Sequence, residues 1–267
     1  MSVLRDRLAQ LAAVVFAAGC QELLAQAPSY SAASIVNAAS NQVGPLAPNG
    51  LATIYGDNLA TGTAALTAGD VVDGMLPYTF SSATSYVLLG AFRAFVLYIS
   101  PKQINFLVPS DLKPGHYNLA VMRGTIVGPV VQVEIAATSP GLFQLDAYTI
   151  IATHLDYTLV SSTSPASPGE IVVLYGTGFG STDPQPLPGA LATEAAPVDD
   201  QTQFQVLVAG LQVPPENVYY VGLTPGFAGL YQINLRLPDD APDDPEIYVV
   251  AGAQRSPGGL VLPVRKR

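Results

Sequence analysis

The sequence predicts an all-β chain folded as two similar β-sandwich units in tandem behind a signal peptide, and three observations point there. The first is an internal repeat. Pro48–Leu59 reads PNGLATIYGDNL and Pro168–Gly180 reads PGEIVVLYGTGFG, with Pro48, Tyr55 and Gly56 matching Pro168, Tyr175 and Gly176. A second pair follows each, QINFLVP from Gln103 to Pro109 and QINLRLP from Gln232 to Pro238. Two copies of one plan in one order make two units. The second observation is period-two alternation of apolar and polar residues, the mark of strands with one buried face, with no sustained helical period after residue 27. The third is 24 Gly and 23 Pro scattered without period, which punctuate many short strands.

Composition supplies a core and excludes some functions. Apolar residues make up 49% and charged ones 12%, ample for burial and unlike a disordered chain. A net charge of −9 repels phosphate backbones, which argues against a nucleic-acid partner. The basic cluster Arg265-Lys266-Arg267 is expected to be a solvated tail. Trp is absent, so there is no tryptophan platform for sugars or bases.

The N-terminus carries an export address. Arg5 and Arg7 precede an apolar run from Leu8 to Gly19, and Ala25-Gln26-Ala27 offers an A-x-A cleavage pattern. The run is too short for a permanent span. Residues 1–27 are therefore a signal peptide with processing at Ala27. An alternative is lipidation at Cys20, because Ala17-Ala18-Gly19-Cys20 resembles a bacterial lipobox with Ala where Leu is usual, and Pro28 is a poor residue after a cleavage site. Residues 28–267 contain no cysteine, and a lipidated Cys20 would carry no free thiol, hence no disulfide and no thiol chemistry. No later run is apolar enough to span a membrane, and an extracellular or cell-envelope address is expected.

The first unit is expected over residues 28–138. Tyr30–Gln42 is a small, polar lead-in. Leu51–Tyr55 is a strand between the turns Pro48-Asn49-Gly50 and Gly56-Asp57-Asn58, whose Gly and Asn tolerate a left-handed backbone. Ala60–Leu76 is a loop. Tyr86–Leu89 and Phe92–Ile99 are strands joined tightly near Gly90. Ile104–Val108 is a strand closed by Pro109, which cannot donate to a ladder. Tyr117, Leu119 and Val121, then Val131, Val133 and Ile135, alternate with polar or small neighbours and predict two more.

The second unit is expected over 139–267, after the break at Thr138-Ser139-Pro140-Gly141. Thr149–Thr153, Ile171–Tyr175, Phe204–Val208, Tyr219–Val221, Leu230–Leu237 and Ile247–Ala251 read as strands. Asp183–Gln201, with Pro184, Pro186, Pro188 and Pro197, reads as a long loop. The span from Gly176 to Gln232 is nine residues longer than that from Gly56 to Gln103, and this insertion is where a binding difference would sit.

The repeated pattern ending in Tyr-Gly-x-x-Leu/Phe resembles immunoglobulin-like IPT/TIG domains. It is more similar still to a secreted acidobacterial family, the Solibacter-type uncharacterised C-terminal domain. The marks are Val36-Asn37-Ala38-Ala39-Ser40, Ala47-Pro48 leading to IYGDNLA, Ile99–Phe106 (ISPKQINF), Ser139–Phe143 (SPGLF), PGEIVVLYGTGFG and Thr224–Asn234 (TPGFAGLYQIN). The resemblance implies fold and export. It brings no catalytic residues and no mechanism.

Each candidate for chemistry has a plainer reading. Gly176-Thr177-Gly178-Phe179-Gly180-Ser181 follows a strand, but a dinucleotide loop needs a third Gly where Ser181 stands and a helix that Pro184, Pro186 and Pro188 forbid; it reads as a turn. His116 and His154 are the near-neutral acid–base groups, placed in different units, and no G-x-S-x-G elbow exists. Two histidines without cysteine give no zinc set. Asp239, Asp240, Asp243 and Asp244 are the calcium candidates, since carboxylates clustered in a loop suit that ion; the run lacks the D-x-D-x-D-G order, and a solvated loop guarding a strand edge is preferred. Tyr219, Tyr220, Phe227 and Tyr231 surround the insertion. Phe227 and Tyr231 are expected to be structural, and Tyr219 or Tyr220 to face outward as a ligand contact. The expectation is a non-catalytic adhesion or binding module for an extracellular polysaccharide or a surface protein, without a cofactor. A spacer or self-assembling surface subunit is the alternative, and an enzyme with an unrecognised site a remote one.

Overall fold

The computed structural model describes residues 26–266. The apolar run Leu8–Gly19, the lipidation candidate Cys20 and Ala25 lie outside the described residues, while Ala27 is exposed beside a buried Pro28. Among the described residues there is no α-helix, only short 3-10 turns between strands. None is long and apolar enough to cross a membrane.

Four sheets form two sandwiches. In the first, the order Ile35–Asn37, Leu51–Tyr55, Gln103–Leu107, Phe95–Ile99, Ala64–Ala65 faces a sheet ordered Val131–Ile135, Gly115–Arg123, Ser85–Leu89, Phe92–Arg93. In the second, Gly141–Leu142, Ile171–Thr177, Tyr231–Arg236, Val218–Leu223, Ala196–Pro197 face Leu211–Gln212, Phe204–Val208, Ile247–Ala251, Gln254–Arg255. All these ladders are antiparallel. Each sandwich buries its own core. Ile54, Ile104, Phe106 and Val121 belong to one, and Leu174, Ile233, Tyr231 and Val249 to the other. This is the alternation seen in the sequence, with one face of each strand turned inward.

The two repeated motifs pair with each other. The Leu51–Tyr55 strand lies against Gln103–Leu107, and Ile171–Thr177 against Tyr231–Arg236, so that Tyr55 faces Gln103 and Tyr175 faces Gln232. The repeat is thus the central strand pair of each sandwich.

The structure departs from the sequence reading in four places. The lead-in is not loop throughout. Ile35–Asn37 is a buried edge strand on Leu51–Tyr55, because two β-branched residues suffice once a neighbour supplies the ladder. Phe92–Ile99 is not one strand. Phe92–Arg93 pairs with Ser85–Leu89, while Phe95–Ile99 has crossed to the other sheet after Ala94. The basic tail is exposed at Arg265 and Lys266, as a solvated tail would be, but it is tethered rather than loose. Val264 is fully buried, Arg265 N–H donates to Ala166 O at 3.0 Å, and its guanidinium pairs with Asp244.

The fourth departure concerns the insertion. Leu76 N–H donates to Gly189 O and Leu191 N–H to Gly74 O, both at 2.9 Å. Leu76, Phe95, Leu107 and Ala228 form a third buried cluster, with Leu51, Leu97 and Leu191 packed against it. Part of the expected binding loop is therefore spent on covering the outer face of the first sandwich.

Candidate functional site

The junction is fixed by side chains whose partners lie in the other sandwich. Thr177, at the end of its strand, accepts the Leu51 N–H at 2.8 Å and donates to Gly229 O at 2.7 Å. Asn37 Nδ2 donates to Ser139 O at 2.9 Å, and Ser139 Oγ to Pro45 O at 2.6 Å. Gln185 Nε2 donates to Ser110 O at 2.8 Å. Gly178, at φ +76, permits the close approach, since a Cβ there would lie 2.2 Å from Ser139 O.

Beside this lock run two adjoining clefts of about 420 and 370 Å³, which share Ala137, Gly180 and Ser181 in their walls. The larger is walled by Asp199, Asp200, Gln203, Phe204 and Gln254 from loops at one end of the second sandwich. The smaller adds Asn49, Ser110, Asp111 and Lys113 from the first. Together they make one groove along the junction.

Its floor is aromatic. Phe179 sits 5.1 Å from Phe204 and 5.2 Å from Tyr231, ring centre to ring centre. Tyr231 is fully buried, and burial holds its phenol well above the ordinary range, so it stays protonated and donates to Gly180 O at 2.5 Å. Phe204 is half-buried and offers ring surface to the groove. On the wall, Asp200 accepts from Thr202 N–H at 3.1 Å and from Gln203 Nε2 at 2.6 Å. The Thr202 side-chain bond first, then the Gln203 bond, holds the Asp200 carboxyl below its ordinary value and thus ionised. Exposed amides at Gln203 and Gln254 stand beside it. The groove can therefore hydrogen-bond hydroxyls and amides and pack against an apolar ring face. The groove is not legible in the sequence because its walls come from six separate segments, of which only the Gly176–Ser181 turn stands out as a candidate for chemistry.

The sequence candidates fall elsewhere. Tyr219 is 54% exposed and is the extra residue of a β-bulge between Val218 and Tyr220. Tyr220 is half-buried, with its hydroxyl donating to Leu223 O at 2.7 Å and accepting from Ala196 N–H at 3.1 Å. Neither lines the groove. Tyr231 is structural as expected. Phe227 is not: at 53% exposed it stands on the surface. The acidic loop does not converge. Asp239 pairs with Arg236, Asp244 with Arg265, and Asp243 accepts the Lys266 N–H at 3.1 Å. Among the described residues no group of three or more His, Cys, Asp or Glu is gathered to hold a metal.

His116 is exposed on the Gly115–Arg123 strand. His154 forms an arrangement that the sequence reading did not foresee, inside one unit. Nδ1 pairs with Glu170, and Nε2 lies 3.2 Å from Ser164 O and 3.4 Å from Ser164 Oγ. Burial works against its charge, but the Glu170 hydrogen bond, the Ser164 carbonyl and the charges of Glu170 and Asp156 outweigh it and raise its pKa above 6.5. A ring nitrogen bonded to a carbonyl is a donor, so Nε2 does not serve as a base toward the Ser164 hydroxyl. The pair fastens the Ser161–Ser164 turn to the start of the Ile171–Thr177 strand.

The class of protein this defines is an all-β chain of two antiparallel β-sandwiches in tandem. Solved structures match the chain at low identity. The chain is similar to a surface glycan-binding protein of the Bacteroides ovatus mixed-linkage glucan utilization locus, solved with a mixed-linkage heptasaccharide (10% identity, 92% of this chain, 47% of that one, TM-score 0.36). It is similar to a Prevotella bryantii surface glycan-binding protein (14%, 87% and 42%, TM-score 0.25). It is also similar to the tandem Ig repeats of Dlar (13%, 91% and 96%, TM-score 0.22). The chain spans less than half the length of the two glycan-binding structures. No protein-family model matches the chain, and no curated protein does.

Proposed function

We propose that the protein is a non-catalytic binding module of the bacterial envelope or extracellular space that takes a carbohydrate chain in the junction groove. The observation that carries this reading is that the groove's walls come from two sandwiches held in one arrangement by Thr177, Asn37 and Ser139. A preformed site spends little binding free energy on ordering. Amides and an ionised carboxylate at Gln203, Gln254 and Asp200 suit the mixed donors and acceptors of sugar hydroxyls, and Phe204 suits the apolar face of a sugar ring. The acidic balance of the chain favours a neutral polymer over a sulfated or phosphorylated one. Export through the N-terminal segment, by cleavage at Ala27 or lipid attachment at Cys20, belongs to the same reading.

A surface protein is the second reading, favoured by the exposed rings of Tyr219 and Phe227 near the insertion. Calorimetric titration with soluble neutral polysaccharides separates the two. Gln203→Ala and Gln254→Ala are expected to weaken saturable binding about tenfold each. Binding that survives both substitutions and is lost with Tyr219→Ala would sink the groove reading. Absence of binding with growing particle mass in light scattering would leave an assembling subunit.

A further inference from the structure

One outward constellation occurs twice and takes no part in the groove. In the first sandwich Tyr55 stands opposite Gln103, and Tyr98 opposite Asn105. In the second, Tyr175 stands opposite Gln232, and Tyr220 opposite Asn234. The strand neighbours of these residues, Ile54, Ile104 and Ile99 in one unit and Leu174, Ile233 and Val221 in the other, lie in the cores. Alternation therefore turns each set of four to the outer face of its sheet. Residues directly opposite have Cβ atoms about 4.5–5.5 Å apart, close enough for one ligand to span.

The parallel extends to backbone irregularities. In each unit a β-bulge immediately precedes the tyrosine that faces the asparagine, at Leu97 between Val96 and Tyr98 and at Tyr219 between Val218 and Tyr220. Bulges re-aim the side chains that follow them. In each unit the two amides are also joined, Gln103 Nε2 to Asn105 Oδ1 at 2.8 Å and Gln232 Nε2 to Asn234 Oδ1 at 3.2 Å. Gln103 and Gln232 keep their carbonyl oxygens as acceptors, and Asn105, whose Oδ1 also accepts from Thr53 Oγ1 at 3.1 Å, keeps its Nδ2 donors, as does Asn234.

We propose that each Tyr–Gln–Asn–Tyr set is a carbohydrate platform, the tyrosine rings taking the apolar face of a sugar and the amides its hydroxyls. The ligand class is a neutral, extended polysaccharide. Neither set contains a charged side chain, and the ion pair bordering the first, Lys102 with Asp57, neutralises itself. A row of side chains along paired strands suits an extended chain, and two copies on one molecule give a polymer two points of attachment. The first-unit set is the more open, with Tyr55 39% exposed, whereas the Tyr220 hydroxyl is held by Ala196 and Leu223. The inference rests on the carbohydrate reading for the ligand class, but its surface is separate from the groove.

The test is affinity electrophoresis and tyrosine fluorescence with hydroxyethylcellulose and glucomannan as probes and pectin as the anionic control. The variants are Tyr55→Ala, Gln103→Ala, Tyr175→Ala, the double Tyr55→Ala/Tyr175→Ala, and Gln203→Ala in the groove. Each tyrosine substitution is expected to weaken binding about three- to tenfold, and the double more than the product of the singles. Unchanged thermal unfolding of Tyr55→Ala, a surface ring, separates lost binding from lost structure. Wild-type binding by all platform variants alongside loss in Gln203→Ala overturns the platforms and leaves the groove. The reverse pattern supports the platforms and removes the groove. Retardation of neither neutral polymer overturns both.

Discussion

Leu51 donates its backbone N–H to the hydroxyl of Thr177, and that buried hydroxyl in turn donates a hydrogen bond to Gly229 O. The organising strand of one sandwich thereby begins where that of the other ends. Thr177→Val keeps the shape and removes both partners, leaving a donor and an acceptor unpaired. Such a change is expected to cost about 2–3 kcal/mol. Urea unfolding should show this loss, with one transition broadening toward two as the sandwiches uncouple. An unchanged midpoint would refute the lock.

Gly189 tests whether the insertion is structural. Its φ is +79, and a Cβ would meet the Phe95 ring at 2.2 Å, whereas Gly210, at φ +80, has nothing within 4 Å. Both alanine variants carry the left-handed strain of about 1–2 kcal/mol. Gly189→Ala should lose a further 1–3 kcal/mol or so from overpacking. Equal losses in chemical denaturation would mean that the insertion does not pack on the first sandwich as described.

The His154–Glu170 pair predicts a pH dependence of stability. The folded-state pKa of His154 lies above its ordinary 6.5, so the folded chain binds the proton more tightly than the unfolded one. The pair's contribution is then fully present below pH 6.5 and is lost as pH rises through the higher folded value. Thermal unfolding followed upward from pH 6 should fall for the wild type by more than for His154→Gln. Parallel curves would show that the imidazole is not charged in the folded protein.

Millimolar calcium is expected to leave the unfolding temperature unchanged, because Asp239 and Asp244 already have Arg236 and Arg265 as partners. Arg265→Ala should cost under about 1 kcal/mol, the range of an exposed ion pair. A rise in unfolding temperature with calcium, abolished by Asp243→Asn, would restore the acidic loop as a metal site.

The fold was largely legible because its signals are local. Alternation in Val131–Ile135 and Ile247–Ala251 and glycine turns such as Gly176–Gly180 need no knowledge of distant residues. Both repeated motifs were also visible, but not that each YG strand pairs with its QIN strand, since register is a long-range property. Ile35–Asn37 was missed because three residues carry too little period to announce a strand. The groove was illegible for the same reason as the Ser164–His154–Glu170 contact: it exists only where separate turns meet. Alternation rightly allowed an outward tyrosine at 219 or 220, but the bulge exposes Tyr219 and leaves Tyr220 tied to Ala196.

The carbohydrate proposal requires that the chain hold a neutral polysaccharide without altering it. Its most direct measurement is a calorimetric titration with glucomannan, followed by an assay for new reducing ends in the same sample. Saturable binding, weakened by Gln203→Ala, with no new ends over hours is the expected result. Chain cleavage, or an absence of heat with every neutral polymer tried, would contradict it.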